Sequence, residues 1–320
     1  MRNSNTAGPI LCAGLLLAAV NAVAQPFPSR PVRVVTAAAG AAGDFVSRMV
    51  APGLSESFGQ QVIVDNRGGS AVIPIDIVAQ SAPDGHTLLV FGSAFWILPL
   101  LQKVAYDPER DFAPVTLAAN TPLLLVVHPS LPAKSIAELI AYAKVRPSVL
   151  NYASGISGSA THLPAELFNS MAGIRITRVT YKGGAPALNA ILSGEVQVMF
   201  ATASGAGPLV RANRLRALAV TSAQPSTLFP ELPTVAASGL PGYEAASVMC
   251  VFAPARTTAV VVQQLNREIV RVLNKPEVKA RFAGAGSEVV AGTPAQLAAV
   301  MKADINTMGR LIKHLGLRGQ

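Results

Sequence analysis

Short apolar runs alternate with helix-like stretches through most of the chain, and this alternation constrains the fold more than any other feature. The runs fall at residues 32–37, 61–66, 87–92, 123–129, 196–202 and 215–222. Most are apolar on both sides, as expected of parallel strands covered by helices on both faces. Between them "DFVSRMVAPGLSESFG", "SIAELIAYAKV" and "THLPAELFNSMAG" carry apolar residues at helical spacing. Ser135 with Glu138 reads as a capping box, and Gly59 and Gly173 read as helix stops. Residues 257–278 predict a longer amphipathic helix ended by Pro276. The chain closes with a helix that has Thr293 as N-cap and Pro294 as its first residue. This order predicts an α/β protein with mostly parallel sheets, and the length predicts two domains.

The first two dozen residues have a different character. Arg2 precedes an apolar stretch at 10–20 that is too short to span a bilayer, and "AVA" at 22–24 places small residues before Gln25. The reading is a cleaved secretory signal (an uncleaved anchor being the alternative) with residues 25–320 exported. Cys12 lies inside the apolar stretch behind Leu11, which does not fit a lipoprotein site. Without it Cys250 stands alone, so no intrachain disulfide or cysteine metal cluster is expected. No later stretch has eighteen uninterrupted apolar residues, and 51% hydrophobic residues can supply a core. The net charge of +9 is scattered, and its densest group, "RANRLR" at 211–216, lacks interleaved aromatics. Nucleic acid is therefore not an expected partner.

Enzyme readings find little to stand on. "VVTAAAGAAGDFVSRMV" at 34–50 is strand, Gly/Ala turn and helix, but lacks both the dinucleotide glycine spacing and the Lys-Ser/Thr of a phosphate loop. His86, His128, His162 and His314 show no metal-ligand spacing, so neither metal nor cofactor is expected. "GISGS" at 155–159 fails as a nucleophile elbow because Ser159 stands where glycine belongs. A secreted hydrolase with Ser157 or Ser159 as nucleophile and His162 as base remains the catalytic alternative.

Two loops carry the binding reading. One is the turn before the helix that opens near Asp44; the other lies in "NYASGISGSATHLPAELF" at 151–168, again strand, Gly/Ser-rich loop and helix. Such loops sit at the C-terminal ends of parallel strands, where α/β sheets bind ligands, and their backbone N–H groups and hydroxyls suit a carboxylate. Neither contains Lys or Arg, so the donors would be neutral. Asp44 either caps its helix or accepts from a ligand or water. Ser159 or Thr161 as a simple helix cap is the structural alternative for the second loop.

The chain resembles the solute receptors of the tripartite tricarboxylate transporter family, the Bug-type periplasmic binding proteins. The resemblance runs through "FPSRPVRVV", "GQQVIVDNRGGS", "APDGHTLLV", "YDPERDFAPVTL", "VVHPSLPAKSIAELIAYAK", "YKGGAPALNAILSGEVQVMF" and "LPTVAASGLPGYEA", besides the second loop. It implies a two-lobed α/β "Venus flytrap", with residues 25–124 plus 250–320 in one lobe and 125–249 in the other. It also implies a monomer that captures a small carboxylate (a dicarboxylate, an aromatic acid or an amino acid) and delivers it to inner-membrane transporter subunits. Carried onto this chain, the first clamp contains Ala38, Gly40, Ala41, Gly43 and Asp44. The second contains Ser154, Gly155, Ser157, Gly158, Ser159 and His162. Ser93 and Ala94, Tyr181 and Gly183, and Thr202 would complete the walls. A ligand-sensing partner of a signalling receptor is the other non-catalytic alternative.

The sequence departs from the family at three points. Alanines fill the first loop from Ala37 to Ala39 where relatives have prolines and glycines, which predicts a stiffer clamp. Ala201, followed by Thr202, stands where relatives often carry Asp. Phe95, Trp96 and Ile97 replace small polar residues; Trp96 reads as packing or as a sign of a bulkier, more apolar or aromatic carboxylate than citrate.

Overall fold

Each of the six apolar runs holds a strand in the computed structural model, which describes residues 27–68, 70–155, 159–181 and 184–317. The first series is β1 (Val32–Thr36), α1 (Ala42–Phe58), β2 (Val62–Asn66), α2 (Val72–Ala79), β3 (Thr87–Gly92) and α3 (Ala94–Leu101). A long strand, β4 (Phe112–Val127), leads into α4 (Ile136–Val145), β5 (Asn151–Ser154), α5 (Leu163–Ala172) and β6 (Thr177–Thr180). Then come α6 (Gly184–Leu192), β7 (Val198–Thr202), α7 (Ala203–Arg211), β8 (Arg216–Val220) and β9 (Ala246–Pro254). The chain closes with α8 (Ala259–Leu273), α9 (Pro276–Gly284), β10 (Glu288–Val289) and α10 (Pro294–His314).

The strands form one curled sheet in the order β2-β1-β3-β9-β4-β7-β5-β6, with β8 and β10 also pairing with β4. The expected parallel pairing holds at both ends, β2-β1-β3 and β7-β5-β6. The centre is antiparallel, so the sheet is mixed. β4 makes the join: Phe112 to Pro122 pairs with β9, and Leu123 to Val127 pairs with β7 and, from Leu124, with β8. Beyond the join its side chains alternate between two buried faces, Leu123, Leu125 and Val127 on one and Leu124 and Val126 on the other. The proline-punctuated stretch at 229–245 is the return crossing. It bridges to β8 at Val220 and Thr234, and the Ala245 N–H closes onto the Thr221 carbonyl at 2.9 Å.

Helix ends follow local chemistry. Gly59 and Gly173 close α1 and α5 in left-handed conformation, with φ of 61° and 60°. Thr293 and Gln296 form a complete capping box on α10. At α4 the Ser135 hydroxyl accepts the Glu138 N–H, but Glu138 reaches back one residue further, to the Lys134 N–H at 2.7 Å. Pro276 opens α9 rather than ending α8, since a missing N–H is harmless in a first turn. Val46, Val50 and Leu54 of α1 and Leu265, Ile269 and Val272 of α8 are buried together against one face of the sheet.

Candidate functional site

A cavity of about 660 Å³ opens where the N-terminus of α1, the N-terminus of α3 and the segment before α5 come together. This is within the range of small-molecule sites. Ala41, Ala42 and Gly43 bring α1 to its wall, Ser93 and Ala94 bring α3, and Ser159 and Ala160 bring the second loop. The first N–H groups of each helix have no carbonyl partner within the helix, so they are donors by construction and favour negative charge. Gly43 is required for this arrangement. A Cβ there would lie 2.3 Å from Thr36 Oγ1 and 3.0 Å from the Val90 carbonyl oxygen, so only glycine lets α1 start this close to β1 and β3.

The first loop is tied down from behind. α1 begins at Ala42 with Ala41 as extended N-cap, so Asp44 is not the cap residue but the third residue of the helix. Its carboxylate accepts the Gly40 N–H at 2.9 Å and the Asn66 amide at 2.9 Å, and pairs with Arg48 at 2.9 Å. Burial by itself would raise this carboxyl; the three partners outweigh it and hold it below the usual carboxylate range.

The second loop is tied from the neighbouring strand. Arg178, paired in register with Tyr152, donates to Ser154 Oγ at 2.8 Å and to the Gly155 carbonyl at 2.7 Å. The Gly155 N–H donates to Thr161 Oγ1 at 2.9 Å, and Ser159 Oγ lies 3.3 Å from the same hydroxyl. Neither Ser159 nor Thr161 is the cap: α5 starts after His162, which makes no side-chain cap. His162 is buried, with Nε2 4.0 Å from Glu166 Oε1, and Glu166 also accepts from the Tyr152 hydroxyl at 2.5 Å. Burial, and then the positive charge of Arg178, push the His162 imidazole down to about 4, so it is neutral at pH 7.

Five of the residues expected from the sequence line the cavity: Ala41, Gly43, Ser93, Ala94 and Ser159. Ala38 and Gly40 lie in the first loop away from its wall, and Asp44, Ser154, Gly155 and His162 stand behind the loops. Tyr181 donates its hydroxyl to Glu195 at 2.9 Å, and Thr202 caps α7 by accepting the Gly205 N–H at 3.3 Å; neither is on the wall. Ser157, Gly158 and Gly183 lie outside the described residues.

Other wall residues come from distant sequence. Ser247, Val248 and Met249 of β9 and Glu244 and Ala245 of the return crossing form one side. α10 supplies Val300, Ala303, Asp304 and Thr307, a helical stripe whose one acid amid apolar neighbours is the only signal its sequence held. Trp96 is fully buried against Phe95 and Phe252, and also faces the cavity. Its Nε1–H donates to Asp304 Oδ2 at 2.6 Å. Burial pushes the Asp304 carboxyl up against the opposing effect of that hydrogen bond. Partial desolvation and the nearby Asp304 push Glu244 up as well. Among the described residues that line the cavity, none is Lys, Arg or His.

The sequence matches the family model described as the tripartite tricarboxylate transporter family receptor over residues 46–317. It is 37% identical over 290 residues to the UPF0065 protein of the tcbD-tcbE intergenic region from Pseudomonas sp. (strain P51), covering 89% of this chain and 86% of that one. It is 34% identical over 300 residues to Protein BugT of Bordetella pertussis (strain Tohama I), covering 92% of each. Among solved structures, R. palustris Rpa4515 with adipate superposes with a TM-score of 0.71 at 36% identity, covering 91% of this chain and 98% of that one. Among the described residues no helix is long and apolar enough to cross a membrane. The chain belongs to the tripartite tricarboxylate transporter receptor family, whose solute-binding α/β fold it shares.

Proposed function

We propose that this protein is a periplasmic receptor that closes two lobes over a small carboxylate and presents it to the membrane subunits of a tripartite transporter. One observation carries the reading: a single cavity receives the N-termini of α1 and α3 from one part of the sheet and Ser159–Ala160 from the other. Two donor sets approaching from two halves suit a carboxylate, and the 36% identical relative was solved with adipate. The lobes are residues 25–124 plus 250–320 and residues 125–249. They pivot where β4 passes from β9 to β7 and where Thr221 Oγ1 bonds the Leu123 N–H at 3.0 Å. A ligand touching both donor sets binds the closed form better than the open one and so draws the lobes together. Carboxylate recognition uses neutral donors, with Ala41, Gly43, Ser93, Ala94 and Ser159 at the wall and the remaining loop residues shaping it. Residues 1–24 act as a cleaved export signal.

The test is a thermal-shift screen of the mature chain against mono- and dicarboxylates, followed by calorimetry. A ligand bound only by the folded form raises the melting temperature, by an amount that grows with its concentration. No shift with any carboxylate, or an equal shift with matched neutral alcohols, rejects the reading.

A further inference from the structure

The cavity offers negative charge as well as N–H donors, and a dianionic solute would meet both. Asp304 of α10 and Glu244 of the return crossing stand on its wall, and the described lining residues supply no cation to neutralise them. The Trp96 indole, in the first turn of α3, holds Asp304 Oδ2 at the cavity wall. An indole N–H needs only a neutral acceptor, so the hydrogen bond does not by itself explain a half-buried charge in this position. Burial pushes the half-buried Asp304 carboxyl up, and partial desolvation together with Asp304 pushes up the more exposed Glu244. A positive group between them relieves both.

Resting on the carboxylate reading above, we infer that the preferred solute carries a second, cationic or multiply donating group, of the ammonium or amidinium kind, held by Asp304 and Glu244. The solute is then an amino-carboxylate, with its carboxylate at the helix N-termini and its amino group beside Trp96. The apolar stretch formed by Val300, Ala303 and Met249 accommodates the methylenes between the two. Asp304 is in this sense a specificity residue: it selects among carboxylates by what lies beyond the carboxylate.

The experiment is calorimetry at neutral pH on the mature chain with three straight-chain series of three to seven carbons: monocarboxylates, α,ω-dicarboxylates and ω-aminocarboxylates. At the best length the amino series is expected to bind about tenfold or more tighter than the monocarboxylate, and the dicarboxylate no tighter than the monocarboxylate. Asp304→Asn keeps an oxygen for the indole N–H but removes the charge. It should cancel most of the amino advantage and strengthen the dicarboxylate. Glu244→Gln should act in the same direction with a smaller change, and it serves as the test if the Asn variant is unstable. Tighter binding of the dicarboxylate by the unchanged protein overturns the inference while leaving the carboxylate reading intact. So does an equal loss across all three series in the variants. Failure of every series to bind overturns the inference, and failure of every carboxylate in the thermal-shift screen overturns both.

Discussion

The two loops that meet at the cavity are held by groups of opposite charge, and in each the charge stands behind the loop. Behind the first, the Asp44 carboxylate gathers the Gly40 N–H, the Asn66 amide and Arg48. Behind the second, the Arg178 guanidinium gathers the Ser154 hydroxyl and the Gly155 carbonyl. The difference follows from what each loop leaves unsatisfied. A helix entry has spare N–H groups, which an anion completes; a strand exit has spare carbonyls, which a cation completes. Fixing the loops from behind leaves backbone and hydroxyl donors at the wall, with no formal positive charge among its described liners.

The largest expected effect breaks the first loop by sterics rather than charge. Gly43→Val places a side chain against Thr36 and the Val90 carbonyl, costing about 3 kcal/mol by urea unfolding and abolishing carboxylate binding by calorimetry. Normal affinity in a folded variant would show that the α1 N-terminus is not part of the site. Next comes Arg178→Met, which strips the second loop of its cation. It should cost about 2–3 kcal/mol and weaken binding, whereas Arg178→Lys should recover part of both. Asp44→Asn is milder, about 1–2 kcal/mol, because the amide keeps one acceptor oxygen for the Gly40 N–H or for Arg48. If Asp44→Asn proves costlier than Arg178→Met, the symmetry drawn between the loops is wrong.

Acid should also separate the loops by pH. Unfolded His162 takes up a proton near 6.5, but the folded chain keeps it neutral down to about 4. Its contribution is therefore complete above 6.5 and is lost as pH falls from 6.5 toward 4. Asp44 is held below its ordinary 3.8, so its contribution is complete above 3.8 and is lost only at lower pH. Melting curves of the parent and of His162→Gln across this range test the assignment. A slope between 6.5 and 4 that survives the substitution places the titrating group elsewhere.

How much was legible can be argued from particular segments. Strand, glycine-bearing loop and helix are contiguous in sequence, so β1 to α1 and β5 to α5 could be read, and Ala41, Gly43 and Ser159 with them. The stops at Gly59 and Gly173 and the cap at Thr293 were equally local. The first half of β4 and all of β9 were hidden. Prolines at 114 and 122 interrupt the one, a long proline-rich crossing precedes the other, and each exists largely because its partner does. Arg178 was missed because the cation that ties the second loop comes from an adjacent strand. Asp304 and Glu244 were missed because α10 and the crossing lie far along the chain from the loops they face.

By itself, then, the sequence determined the period of the local strands and helices, the stops at Gly59 and Gly173, the cap at Thr293 and the two donor-rich turns, because these depend on residues within a helical turn or a strand of one another. The tertiary structure alone decided which turns share a cavity, which charges stand behind them and which acids stand beside them. Those are contacts between elements distant in sequence, created only when burial of both faces of the sheet brings β4, β9 and α10 together.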